Sequence, residues 1–187
     1  MGALALNLCG RRDRLGLKGP RAAEWLTAQG VVLPTAPNTW AHSLESPAAD
    51  ALLVARLGAA EFFLEESSAG TTLKRLAPSL NERPRGVYPV LREDCAFHVA
   101  GEGVHDVLAQ VCNVNFAALS MDSHPLIMTL MIGVAVLVVP QMEAGASSGA
   151  GGREYRIWCD PTFEPYLGES LGAVVIECGG RYTGVSE

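Results

Sequence analysis

The sequence predicts an α+β fold in which two pseudo-symmetric halves share one apolar core, and three observations carry the prediction. An order of strand, glycine-led helix, hairpin and helix occurs twice, over about 14–80 and 86–180 of a single domain spanning 1–187. Leu15-x-Leu17-x-Gly19…Trp25-Leu26 lies over Phe97-x-Val99-x-Gly101…Val107-Leu108 at a constant offset of 82 residues, and Glu61-Phe62…Leu64 lies over Glu154-Tyr155…Ile157 at an offset of 93. Each copy has helices for only one face of a small sheet. One copy would leave apolar surface bare, so two copies must close a common core.

In the first half, 15–18 alternates as a short strand. Gly19-Pro20 opens a helix, because a proline at the first helical position gives up an N–H that has no partner there. Ala22, Trp25, Leu26 and Gln29 share one face, and Gly30 ends the helix. Pro34, Pro37 and Asn38 mark a loop. Residues 51–57 and 61–65 form a hairpin around Gly58-Ala59-Ala60, and 71–77 form a short helix. The stretch 78–86, with Pro78, Pro84 and Gly86, reads as a linker.

The second half starts with a strand at 95–100. Gly101-Glu102-Gly103 then leads a helix with Val104, Val107, Leu108 and Val111 on one face. The apolar run 126–139 has 14 residues between Pro125 and Pro140, short of the roughly 20 of a membrane-spanning helix. Its Val and Ile content and central Gly133 give two strands, 126–131 and 134–139, turning at Ile132-Gly133. The Gly/Ser/Ala stretch 143–152 reads as a flexible, solvated loop with no site. A strand at 154–159 follows. Asp160-Pro161 caps a last helix with Phe163, Tyr166, Leu167, Leu171, Val174 and Cys178 along its face, closed by Gly179-Gly180.

Composition excludes several function classes. Hydrophobic residues make up 49% and charged residues 18%, enough to bury a core. A net charge of −6 argues against nucleic acid and against an anionic membrane as partner, and 6% aromatics argue against base-stacking platforms. The first ten residues lack the basic start and the apolar length of a secretory signal, and Leu6 stands where myristoylation needs Ser or Thr. Five cysteines at spacings of 86, 17, 47 and 19, with no CxxC, read as reduced thiols. The expected location is cytoplasmic.

The motifs that could carry chemistry have plainer readings. Gly168-Glu-Ser170-Leu-Gly172 fits GxSxG, but a nucleophile elbow needs a strand-to-helix turn with Asp and His later in the chain, and no Asp or His follows Ser170. Two glycines four apart on a helix instead allow close packing. Gly101-x-Gly103-x-x-Asp106 lacks the third glycine of a dinucleotide fingerprint and reads as a helix start. Cys95, His98, His105 and Cys112 offer soft-metal ligands, but without the close ligand pairs of structural zinc, and Cys112 continues a buried helix face. Arg11, Arg12, Arg14, Lys18 and Arg21 form one basic cluster, and Arg83, Arg85 and Arg92 another; either is a solvated surface or meets an acidic partner. Glu65-Glu66 and Glu93-Asp94 are neighbours that a strand would point to opposite faces, so neither makes an acid/base pair.

Five phrases then converge: Gly16-Leu-Lys-Gly-Pro-Arg-Ala-Ala-Glu-Trp-Leu26, Pro37-Asn-Thr-Trp40, Ala55-Arg-Leu-Gly-Ala-Ala-Glu-Phe62, Tyr88-Pro-Val-Leu-Arg92 and Tyr155-Arg-Ile-Trp-Cys-Asp-Pro161…Tyr166-Leu167…Gly179-Gly180. Taken in order, they resemble the gamma subunit of heterotetrameric sarcosine oxidase, from about Leu15 to Gly180. The resemblance implies a fold like the folate-binding region of the glycine-cleavage aminomethyltransferase. It also implies a parent complex that oxidises sarcosine to glycine, in which the alpha and beta subunits hold FAD, FMN, NAD and tetrahydrofolate and a delta subunit carries zinc.

On that resemblance the chain itself is expected to hold no cofactor, metal or catalytic residue and to act in one-carbon metabolism as a non-catalytic assembly subunit, contacting chiefly the alpha subunit. A mean hydropathy of +0.20 is high for a chain of this size and fits an apolar interface. Trp40, Trp158 and Tyr166 are the candidate anchors, weighed against places in the core. Two other readings stand beside this one: a stand-alone tetrahydrofolate-binding one-carbon protein, for which Asp160 is the nearest carboxylate, and an unrelated homo-oligomeric module.

Overall fold

The computed structural model describes residues 2–43, 52–142 and 152–186. The loop expected at 143–152 therefore lies almost wholly outside the described residues, as does Ala51. In chain order the elements are β1 (Ala5–Cys9), β2 (Asp13–Lys18), α1 (Ala22–Ala28), β3 (Thr39–Ser43), β4 (Leu52–Gly58), β5 (Glu61–Glu66), α2 (Thr72–Asn81) and β6 (Tyr88–Val90). They continue with β7 (Cys95–Ala100), α3 (Val104–Val111), β8 (Ile127–Met131), β9 (Val134–Met142), β10 (Arg153–Cys159), α4 (Glu164–Glu177) and β11 (Arg181–Ser186). No described helix is long and apolar enough to cross a membrane.

The chain divides into two compact units, one of Arg11–Glu93 and one of Met1–Gly10 with Asp94–Glu187. The first holds a five-stranded antiparallel sheet ordered β3-β4-β5-β2-β6. Leu17, Leu52, Val54, Phe62 and Leu64 line one face of it, under Ala22 and Leu26 of α1 and Leu73 and Leu76 of α2. The second holds a six-stranded sheet ordered β11-β1-β7-β10-β9-β8, antiparallel except for the β1–β11 pair. Phe97, Val99, Val136, Val138, Tyr155 and Ile157 line its face under Val104, Val107 and Leu108 of α3 and Leu167, Leu171 and Val175 of α4. Each pair of helices thus covers one cluster of buried apolar side chains in its own unit. The opposite sheet faces are also buried, at Leu53, Ala55 and Phe63 in one unit and at Ala96, Leu137, Val139 and Trp158 in the other.

Element order and strand order agree between the units. β2, α1, β3, β4, β5 and α2 follow the same sequence as β7, α3, β8, β9, β10 and α4, and β3-β4-β5-β2-β6 has the order of β8-β9-β10-β7-β1. The two sequence offsets meet in the ladders. Leu17 pairs with Phe62, and the residues lying over them, Val99 and Tyr155, pair with each other. Leu15 with Leu64 and Phe97 with Ile157 repeat the match. Gly19 and Gly101 end the first strand of each set at φ 125° and 106°, a region that L side chains avoid.

Four strands escaped the sequence reading. β3 follows a proline-rich loop, β6 has three residues including Pro89, and β1 and β11 lack alternation strong enough to stand out. Two helices also differ from expectation. Pro20 lies in the turn ahead of α1, because Arg21 N–H is bound by Gly86 O at 3.0 Å and Ala22 N–H by Gly19 O at 3.0 Å. α2 runs through Pro78 to Asn81, so the expected linker is partly helical.

α4 buries Leu167 and Leu171 of its expected face, with Val174 and Cys178 partly buried against the same core, and only the two aromatic residues of that face turn outward. Leu167, Gly168, Leu171, Gly172 and Val175 are buried, while Phe163 and Tyr166 are 48% and 51% exposed. The glycines are the centre of the contact. A Cβ at Gly168 would stand 2.8 Å from Tyr182 Oη and 3.2 Å from Phe97 Cε1, and one at Gly172 would stand 2.7 Å from Tyr182 Cδ1. Gly168→Ala is therefore expected to lower the unfolding free energy by about 1–3 kcal/mol through overpacking; chemical denaturation reads it.

Candidate functional site

The unit of Arg11–Glu93 buries two adjacent carboxylates, and strand alternation sends them to different partners. Glu66 lies on the helix side of β5. Its Oε1 accepts from Leu73 N at 2.7 Å and its Oε2 from Thr72 N at 3.1 Å, so a side chain six residues upstream caps α2. Glu65 points the other way and accepts from Arg14 Nε at 2.6 Å, with Arg12 Nε at 3.2 Å. Both charges are answered by fixed donors, an arrangement that holds structure together. Glu66→Ala is expected to cost about 2–3 kcal/mol, because two N–H donors at a buried helix start lose a charged acceptor; thermal and urea unfolding check it.

These contacts also account for part of the basic clusters. Arg12 and Arg14 belong to Glu65, Arg21 Nε donates to Glu24 at 3.0 Å, and the Arg92 guanidinium lies 4.7 Å above the Phe63 ring.

In the other unit, the proposed soft-metal ligands part company. His98 alternates with Phe97 and Val99 and faces Glu154, Nε2 to Oε2 at 3.1 Å. His105 leaves α3 to meet Tyr155, Nε2 to Oη at 2.7 Å, and Phe116 stacks edge-on against the same phenol ring. Cys112 approaches Thr129 at 3.7 Å. Cys95 meets a residue that the sequence reading did not select: its Sγ is 3.2 Å from Cys159 Sγ. Among the described residues no group of three or more His, Cys, Asp or Glu gathers as a metal ion would need.

Burial, and then the charge of Arg153, holds His105 below the usual imidazole range, with Asp106 acting the other way. A lowered folded value means that the unfolded chain takes the proton first. The associated stability is complete above the unfolded value near about 6.5 and is lost as pH falls through the folded one. Wild type is therefore expected to lose stability as pH falls below about 6.5, and His105→Gln should flatten that part of the curve in urea unfolding followed against pH.

Ser170 sits inside α4 and is half-buried, so the GxSxG phrase makes no elbow there. Asp160 caps the turn before α4: Oδ1 accepts from Thr162 N at 2.9 Å and Oγ1 at 2.6 Å, bonds that hold its carboxyl below the ordinary range. Of the three candidate anchors, Trp158 and Trp40 are 1% and 8% exposed, whereas Tyr166 stands out beside Phe163 with its hydroxyl donating to Ile132 O at 3.3 Å. Trp40 shares the register of Ala55, and Trp158 that of Ala96, so both lie on the sheet faces turned away from the helices.

No protein-family model matches this sequence, and no curated protein matches it. Solved structures do. A heterotetrameric sarcosine oxidase from Corynebacterium sp. U-96, solved with pyrrole 2-carboxylate, is similar with a TM-score of 0.68 and 22% identity, over 93% of this chain and 84% of that one. The glycine cleavage system aminomethyltransferase T from Bartonella henselae is similar with a TM-score of 0.60 and 16% identity, over 98% of this chain. The chain spans only 48% of the length of that enzyme. At these identities the likeness shows the fold: a mixed α+β chain with two sheets and four helices among the described residues, similar to aminomethyltransferase-like folds.

Proposed function

We propose that this chain is a non-catalytic subunit of a sarcosine-oxidase-type hetero-oligomer in one-carbon metabolism. The observation that carries the reading is the pair of coverages. The likeness spans 84% of a chain from a heterotetrameric sarcosine oxidase, against 48% of the aminomethyltransferase. In this reading FAD, FMN, NAD and tetrahydrofolate belong to the alpha and beta partners, a delta subunit completes the assembly, and the whole is cytoplasmic. The two units are copies of one module related by a pseudo-twofold, a reading supported by the matched strand orders and by the Leu17–Phe62 and Val99–Tyr155 ladder pairs.

The contact surface is built around Tyr166 and Phe163, two exposed aromatic side chains at the start of α4. Trp40 and Trp158 serve the sheets from within. An affinity-tagged chain co-expressed with the large subunits is expected to recover a flavin-absorbing partner. Tyr166→Ala should weaken that recovery about tenfold or more while moving the stability of the isolated chain by less than about 0.5 kcal/mol. The rival reading, a free-standing tetrahydrofolate binder, is supported by the 98% coverage of this chain. Micromolar binding of tetrahydrofolate to the isolated chain, with no partner recovered, would replace the subunit reading with that one.

A further inference from the structure

We propose that Cys95 and Cys159 form a peroxide-sensitive dithiol that closes to a reversible intrachain disulfide. The sulfurs are 3.2 Å apart, and the two residues are direct ladder partners where β7 begins and β10 ends. Directly opposed residues of an antiparallel pair have Cα atoms about 4.5 or 5.5 Å apart. Both values fall inside the roughly 4.4–6.8 Å that a disulfide spans. The bond can therefore close by side-chain rotation on an unmoved backbone.

The two thiols are unequal. Cys95 is half-buried and Cys159 is buried, so an oxidant from solvent meets Cys95 first. The hydrogen bond between the two thiols draws the Cys95 pKa down, against burial and the charge of Glu164. The same bond, with burial and the charges of Asp160 and Asp94, keeps Cys159 protonated. Cys95 is the attacking sulfur and Cys159 the resolving one.

With hydrogen peroxide as oxidant, the Cys95 thiolate attacks one peroxide oxygen and the O–O bond breaks. Cys95 becomes a sulfenic acid, and the hydroxide released takes up a proton as water. Cys159 sulfur then attacks the Cys95 sulfur, the S–O bond breaks, and the second oxygen leaves as water with the Cys159 proton. Two thiols and one peroxide give one disulfide and two waters. The carboxylates of Asp94, Asp160 and Glu164 surround the pair, so an uncharged hydroperoxide is favoured over an anionic disulfide such as oxidised glutathione.

The test treats the reduced full chain with hydrogen peroxide, blocks remaining thiols with iodoacetamide and maps the peptides by mass spectrometry. The expected result is a Cys95–Cys159 linked peptide in most of the protein, reversed by dithiothreitol, with Cys9, Cys112 and Cys178 alkylated as before treatment. The same concentration of oxidised glutathione should form the link at least tenfold more slowly. In Cys159→Ser, the Cys95 sulfenic acid should persist long enough for dimedone to trap it. Unchanged alkylation of Cys95 and Cys159, a link through any other cysteine, or over-oxidation of Cys95 with no link in wild type would each overturn the proposal. The wild-type map decides even if a variant fails to fold.

Discussion

Gly101→Val and Gly19→Val are each expected to remove roughly 4 kcal/mol or more of stability, enough to unfold a domain of ordinary margin. Two terms act together. The backbone sits at φ 106° at Gly101 and 125° at Gly19, where a β-branched residue is strained by about 1–3 kcal/mol. The added Cβ then strikes backbone. At Gly101 it would lie 2.5 Å from Ala3 O and 2.7 Å from Leu4 Cα, and at Gly19 it would lie 2.4 Å from Gly86 O. A flexible side chain could swing away, but a main-chain carbonyl beside a ladder cannot without opening the sheet. Gly101 abuts the chain that leads into β1, which lies between β11 and β7, and Gly19 abuts the chain that leads into the edge strand β6. Gly58→Ala, where the nearest atom is 3.9 Å away, is the control and should be near neutral. Urea unfolding of the three variants checks the ranking. Valine tolerated at either position with less than about 1 kcal/mol lost would contradict the clash with backbone there.

Glu65→Ala is expected to cost about 3–5 kcal/mol, the usual result of stripping one partner from a buried ion pair. The Glu65 side chain is 0% exposed and that of Arg14 only 8%, so a guanidinium 2.6 Å from its carboxylate would be left in a place that water does not easily reach. Arg12, 25% exposed, turns more readily to solvent, and Arg12→Ala should cost clearly less than Arg14→Ala. Surface pairs weaken in salt and buried ones do so little, so the Glu65 effect should persist at high ionic strength. Unfolding followed at low and high salt reads it. A loss below about 1 kcal/mol would mean that the pair contributes little beyond its desolvation cost.

The matched element order is legible in the sequence because buried alternation and glycines at positive φ mark it. Leu17, Phe62, Val99 and Tyr155 are core positions whose spacing survives as ladder register. Strands fixed chiefly by their neighbours left little trace. Tyr88–Val90 and Arg181–Ser186 become strands because β2 and β1 offer them open edges, and that is a tertiary property. The close packing at Gly168 and Gly172 is legible in their spacing, but the residue that fills it, Tyr182, is not, and size alone wrongly sends Phe163 and Tyr166 inward. The carboxylate pair Glu65-Glu66 was correctly separated by alternation, yet the capping of α2 by Glu66 was not visible, since the loop that returns Thr72 to it has no sequence rule. The approach of Cys95 to Cys159 was hidden for a similar reason. A spacing of 64 residues says nothing until β7 and β10 are known to pair.

As proposed above, this chain works by joining larger partners. Native mass spectrometry of the full chain, co-expressed with the alpha, beta and delta subunits of a sarcosine-oxidase-type complex, tests it most directly. The expected result is a mixed assembly whose mass includes this chain of 19.8 kDa at a fixed stoichiometry. A complete complex of the other subunits with this chain left at its own mass would contradict it.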